Sequence, residues 1–286
     1  MALKPPVEVP QGAIRLNTDS QKLEFYAQDQ WWEMATDVLG DNLQGGSGRG
    51  LVMQGIEPAQ VNSVSYVDIT ATGTGVDFGD ATANKRAPAG CGSRTRALSG
   101  GGNNPSVHDE VDYFTFASTG NGIDWGDLDA DRSAMGGCAS ATRGLFVGGY
   151  TPSSCNIIEY VTIATTGNAQ DFGDATGTKQ ACPGCSNSTR GIWGGGYTPS
   201  GTKNLDTIEI ATTSNAVDFG DLTHSLTVGS SFCSPTRGVW AAGYSGGNTN
   251  IMNFISIATR GDAVDYGDLN RACHRTTGAS NSHGGL

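Results

Sequence analysis

Five copies of an Asp-aromatic-Gly-Asp tetrad place two carboxylates three residues apart, from Asp77 and Asp80 through Asp124 and Asp127, Asp171 and Asp174, Asp218 and Asp221, to Asp265 and Asp268. Paired carboxylates are the raw material of acid–base catalysis and of calcium sites. Here they recur regularly, so no pair is singled out for chemistry. The reading that needs least is turn closure through side-chain-to-backbone hydrogen bonds; calcium is the alternative, and several oxygens would have to converge to hold it. Cys182-Pro183-Gly184-Cys185 has the spacing of a redox or zinc motif. Cys185, however, keeps register with Cys91 and Cys138, which have no such partner, and no second pair stands at zinc spacing. A structural column plus one additional cysteine is expected. His108, His224, His274 and His283 fall at unrelated registers, so no Ser-His-Asp set stands out among the abundant serines. The expectation is a protein with no catalytic residue, no metal and no cofactor.

Tyr150, Tyr197 and Tyr244 are the candidate binding residues. They follow a strand end in three consecutive repeats, where Ile56 and Asn103 stand in the other two. The loops they open differ most between repeats: IEPAQVN, NNPSVHD, YTPSSCN, YTPSGTKN and YSGGNTN. Constant framework beside variable loops is what is expected where loops make contacts and strands carry the fold. The tyrosines could stack on sugars or plug the strand end, and the residues leave both readings open. Trp193 and Trp240, with Phe146 at the same register, are expected in the core between blades.

The elements that position these residues follow from one period. The tetrad aromatics Phe78, Trp125, Phe172, Phe219 and Tyr266 are each 47 residues apart, as are Arg49, Arg96, Arg143, Arg190 and Arg237. Five rows align without a gap, and a sixth begins at Gly284. Each row reads as four short strands: the RGLFVGGY type, a second such as IIEYVTIAT, a short one around the tetrad, and a small-residue stretch such as PGCSNSTR. Nothing has a helical period. Periods of about 40–50 residues with four strands each signify propeller blades, which cannot bury their faces alone and must stack around an axis. The expected fold is all-β, a five-bladed propeller over residues 47–286, closed by Thr276–His283 completing a blade with the strand at Arg49. A β-solenoid is the alternative. The glycine pairs are expected near the axis and the tetrad aromatics between blades.

Residues 1–46 read differently. Pro5, Pro6 and Pro10 suggest an extended arm, residues 13–35 suggest three strands with turns at Thr18-Asp19-Ser20 and Gln28-Asp29-Gln30, and residues 36–48 look like a linker. So small a sheet needs support. An attachment or oligomerisation role is expected of it, with Phe25, Tyr26, Trp31 and Trp32 as the contact residues.

The row Arg143–Asp174, RGLFVGGYTPSSCNIIEYVTIATTGNAQDFGD, resembles the kelch-like repeats of structural proteins of tailed phages, marine phages especially. Residues 13–33 resemble a β segment of phage tail-fibre and baseplate proteins, through Ile14-Arg15-Leu16-Asn17-Thr18, Leu23-Glu24-Phe25-Tyr26 and Trp31-Trp32. The rows depart from standard kelch in lacking its Tyr…Trp spacing. The resemblance implies a virion structural protein, associated with a tail fibre or baseplate in preference to the capsid, held to other virion proteins through residues 1–46, present in several copies and able to recognise a host-surface glycan or protein. Capsid-surface decoration and a free lectin-like propeller are the alternatives.

Composition agrees with that role and excludes others. Of 286 residues 43 are glycine and only 37% are hydrophobic, so the core must come from many short strands. A net charge of -11 disfavours nucleic acid and anionic membranes as partners. No apolar run reaches the ~18 residues of a membrane span, and the N-terminus lacks a signal-peptide apolar region. Seven cysteines, an odd count, suggest reduced thiols acting as small hydrophobes.

Overall fold

The computed structural model describes residues 10–17, 22–27, 30–33, 49–56, 58–68 and 72–276. Two compact units divide the chain, Met1–Leu43 and Gln44–Leu286, against an expected boundary after residue 46. The described elements are strands, and no helix among the described residues is long and apolar enough to cross a membrane.

The first unit holds three antiparallel strands, Ile14–Asn17, Lys22–Ala27 and Gln30–Glu33. Side chains alternate between faces along a strand, and the register therefore sorts the aromatics. Ile14, Phe25 and Trp32 lie side by side across one face and are exposed. Tyr26 and Trp31 pair on the other, edge to face at 5.2 Å. There the Arg15 guanidinium stacks on Trp31 at 4.1 Å and forms an ion pair with the buried Glu24 at 2.7 Å. The arm, both turns and the linker lie outside the described residues.

Among the described residues the second unit is a run of five antiparallel sheets of three or more strands, with a two-stranded ribbon, Tyr150–Thr151 and Ser153–Ser154, beside the third and a short strand, Tyr197–Thr198, added to the fourth. The polar loops expected there are thus partly paired. The first comprises Arg49–Ile56, Gln60–Asp68 and Val76–Asp80. Each later sheet opens with a small-residue strand from the end of the preceding row: Ala89–Gly92, Gly136–Ala139, Gly184–Ser186 and Ser230–Cys233. These pair with the arginine strands Arg96–Gly100, Arg143–Val147, Arg190–Gly194 and Arg237–Ala241. The second half of each row supplies the two outer strands. A sixth sheet of three or more strands is the one in the first unit. The register that would give the first sheet its small-residue strand, residues 277–280, falls outside the described residues.

Where the sheets converge, the small-residue strands lie directly against one another. A Cβ built on Gly137 would run into the Gly90 carbonyl oxygen, and one on Gly184 would sit 2.9 Å from the Gly137 carbonyl oxygen. The glycine pairs are crowded as well: a Cβ on Gly101 would run into the Arg132 carbonyl oxygen and one on Gly148 into that of Lys179. Ser186 Oγ bonds the Ala139 carbonyl and Ser231 Oγ the Gly184 carbonyl, both at 2.7 Å, so backbone and small side chains fill the convergence.

Each boundary between successive sheets has its own core. Leu145, Ile158 and Phe172 of the third sheet pack with Trp193, Ile208 and Ile210 of the fourth. Ile192, Leu205 and Phe219 pack with Trp240, Ile255 and Ile257 of the fifth. Equivalent sets join the first and second sheets and the second and third. The row arginines tie the same boundaries: Arg49, Arg96, Arg143 and Arg190 donate to the carbonyls of Phe116, Ile163, Ile210 and Ile257, each one sheet on, at 2.6–2.8 Å.

Candidate functional site

The tetrads act through their backbone neighbours. Asp124, Asp171 and Asp265 accept the amide of the tetrad glycine at 3.1–3.3 Å. The amides of Asp80, Asp127 and Asp174 donate to Asn121, Asn168 and Asn215 of the next sheet's hairpin. The aromatic between them anchors the boundary, as Phe78 does edge-on to Phe114 at 6.1 Å. Phe78, Trp125, Phe172 and Phe219 are buried, but Tyr266, on the last sheet, is 51% exposed.

The Cys182–Cys185 spacing does not assemble a reactive centre. Burial pushes Cys182 up to about 11 and Cys91 up to about 12, and Cys138 rises for the same reason. These are neutral thiols filling space. Cys91, Cys138 and Cys185 each lodge against the glycine beside a row arginine, 2.7–2.9 Å from where a Cβ on Gly144, Gly191 or Gly238 would be.

A polar register that strand patterning reads as outward is buried. Arg132 forms an ion pair with Glu159 of the next sheet, both shielded from solvent, and Lys179 does the same with Asp206 at 2.6 Å. Lys85 is equally buried and reaches Glu110 at 3.1 Å, beside the buried Asp112. Burial raises the Glu159 carboxyl above its ordinary value, and Arg132 and the Asp129 amide pull against that rise. At the next boundary both partners become neutral: Leu226 stands at the cation register and Asn253 at the acid register, accepting from Thr223. At the second and third of these boundaries charge is buried as a pair, as desolvation favours, while at the first Asp112 is held by Thr82. The signal that could have found them is covariation along the 47-residue register.

The tyrosine register is exposed, as is a second register of apolar residues, Val76, Ile123, Val217 and Val264. Tyr150, Tyr197 and Tyr244 are between 41% and 46% exposed, with Ile56 exposed at the same position. Their backbone is held: the three amides donate to Ser133, Gln180 and Thr227 at 2.8–2.9 Å. Each follows a glycine with φ of 99–112°, a conformation L side chains rarely adopt, whose missing Cβ leaves room for those same carbonyls. Hydroxyls lie close by. Ser154 Oγ donates to the Tyr197 carbonyl at 3.3 Å, Thr178 and Thr198 pair at 3.2 Å, and so do Ser225 and Ser245. Tyr244 also meets His274 edge-on at 6.0 Å. A clamped backbone with an exposed ring among small hydroxyls can stack and hydrogen-bond without reorganising. The four attachment candidates do not form one patch: Phe25 and Trp32 share one sheet face, and Tyr26 and Trp31 the other.

An all-β, β-propeller-like protein is the class this arrangement defines. A solved structure described as "Structure of YjhT" matches it with a TM-score of 0.67 and 8% sequence identity, over 82% of this chain and 84% of that one. At that identity the likeness concerns the fold alone. No family model and no curated protein matches the chain.

Proposed function

We propose that this chain is a non-catalytic virion protein of a tailed phage, tail-fibre or baseplate associated, whose propeller contacts the host surface while residues 1–46 attach it to the particle. The observation carrying the binding role is the tyrosine register, whose rings are exposed while their backbone is held in place by hydrogen bonds. The phage assignment rests on the kelch-like rows and on the fibre-type residues 13–33. Gold-labelled antibody against residues 49–286 on purified particles tests it. Label at the tail supports the reading; label over the capsid favours decoration; absence from particles removes the virion role and leaves the lectin-like alternative. Changing Tyr150, Tyr197 and Tyr244 together to alanine is expected to weaken host binding at least about tenfold, since an anchoring aromatic is worth upwards of ~1 kcal/mol. Stability should change little, because exposed positions contribute within about 0.5 kcal/mol each. Unchanged adsorption would remove the tyrosines from the contact.

The same reading takes the five sheets to close as a five-bladed, kelch-like propeller, with Thr276–His283 completing a blade with the strand at Arg49. Register supports closure. Continuing the ion-pair columns past the fifth sheet brings Cys273 to Ser65, neutral on both sides as at Leu226 and Asn253. Ala97 breaks the run of glycines that face cysteines, and its counterpart by register is the small Ala279. The two surfaces closure would bury are those now open: Tyr266, and Val52 at 65% exposure, where the equivalent Phe146, Trp193 and Trp240 are buried.

A further inference from the structure

We propose that Cys185 and Cys233 form a disulfide that locks the fourth sheet to the fifth. This goes beyond the binding role and does not depend on it. Rows one to three carry a cysteine at Cys91, Cys138 and Cys185, but the fourth row has Phe232 at that register and its cysteine one residue later. Successive residues on a strand point to opposite faces, so that single step reverses the direction of the side chain. Cys185 points forward, lodged 2.7 Å from where a Cβ on Gly238 of the fifth sheet would sit. Cys233 points back: its sulfur is 3.2 Å from the Ser186 carbonyl oxygen, the residue after Cys185. One row earlier Ser186 points back in the same way, its hydroxyl on the Ala139 carbonyl.

By register, the forward and backward positions face each other at the last three boundaries. They hold Cys91 and Ala139, then Cys138 and Ser186, then Cys185 and Cys233. Only at the boundary of the fourth and fifth sheets are both cysteines. Their strands, Gly184–Ser186 and Ser230–Cys233, lie against each other, both thiols are buried, and they hydrogen-bond to one another. That hydrogen bond from Cys185 holds Cys233 below the ordinary thiol value, against the upward push of burial.

A peroxide is small enough to serve as the oxidant. The Cys233 thiolate attacks one oxygen of hydrogen peroxide, the O–O bond breaks, and hydroxide leaves as the sulfur becomes a sulfenic acid. The Cys185 sulfur then attacks that sulfur, the S–S bond forms as the S–O bond breaks, and the second oxygen departs as water. The departing sulfenic oxygen takes the proton that Cys185 loses, and the hydroxide takes the one Cys233 gave up on becoming a thiolate. Two thiols have given up two electrons, and one peroxide has become two waters.

The test treats the full chain with hydrogen peroxide, alkylates the remaining thiols in denaturant and maps a non-reduced digest. Five of the seven cysteines should be alkylated, one cross-linked peptide should join Cys185 to Cys233, and dithiothreitol should release it. The oxidised chain should melt roughly 5–10 °C above the reduced one. Cys233→Ser should abolish both effects while folding normally, because it places at this register the residue that Ser186 supplies one row earlier. Alkylation of all seven, over-oxidation of Cys233 without a cross-link, or a link between Cys182 and Cys185 instead would overturn the assignment.

Discussion

Replacing Lys179 with leucine is expected to destabilise the protein by about 3–5 kcal/mol, the usual consequence of leaving a buried charge without its partner. Lys179 and Asp206 are both shielded from solvent and meet at 2.6 Å across the boundary of the third and fourth sheets. Thr176 also donates to Asp206, but a neutral donor does not offset a buried carboxylate. For a unit of this size the melting temperature should fall by roughly 10 °C. The chain itself shows the remedy. One boundary further on, Leu226 and Asn253 occupy the same two registers, so Lys179→Leu with Asp206→Asn copies an arrangement the fold already uses. The double variant should recover most of the loss, and calorimetry of wild type, both single variants and the double completes the cycle. A double variant no more stable than Lys179→Leu would mean that the loss comes from packing of the lysine stem rather than from the stranded charge.

Deleting residues 277–286 is the second change expected to have a large effect. On the proposed closure, the stretch Thr276–His283 would complete the first sheet beside Arg49–Ile56, as the four small-residue strands do for the later sheets. At about 1 kcal/mol for each backbone hydrogen bond of such a strand, the expected loss is roughly 4 kcal/mol. The strand edge uncovered would also invite association between molecules. Thermal melts of the full chain and the deletion should differ by roughly 10 °C, and the shorter chain should elute as larger species on sizing. Identical melts would mean that the first sheet does not rely on this segment, and five-bladed closure would fall with it.

Much of the fold was legible because it is periodic. The 47-residue spacing of the tetrads and arginines, the glycine-rich strand ends and the absence of a helical period led to an all-β run of sheets, and the tyrosine register could be picked out by spacing beside loops that vary. Polar residues inside strands were the weak point. Glu159 reads as an interruption in IIEYVTIAT, yet it is buried against Arg132, a residue on a different sheet that no local pattern connects to it. Phe172 and Tyr266 occupy one register and look equivalent, but one is buried and the other half exposed, because only Phe172 has a sheet packed over it. In the first unit Trp31 and Trp32 are neighbours in sequence and part company in space, one under Arg15 and the other exposed. The sequence by itself determined the main strands and their order, since backbone pairing and side-chain alternation are local and repeat with the chain, but not the short ribbons at Tyr150–Ser154 and Tyr197–Thr198. The tertiary structure alone decided which polar groups face a partner, which aromatics are covered and which cysteines meet, because each of these depends on a residue contributed by the neighbouring sheet.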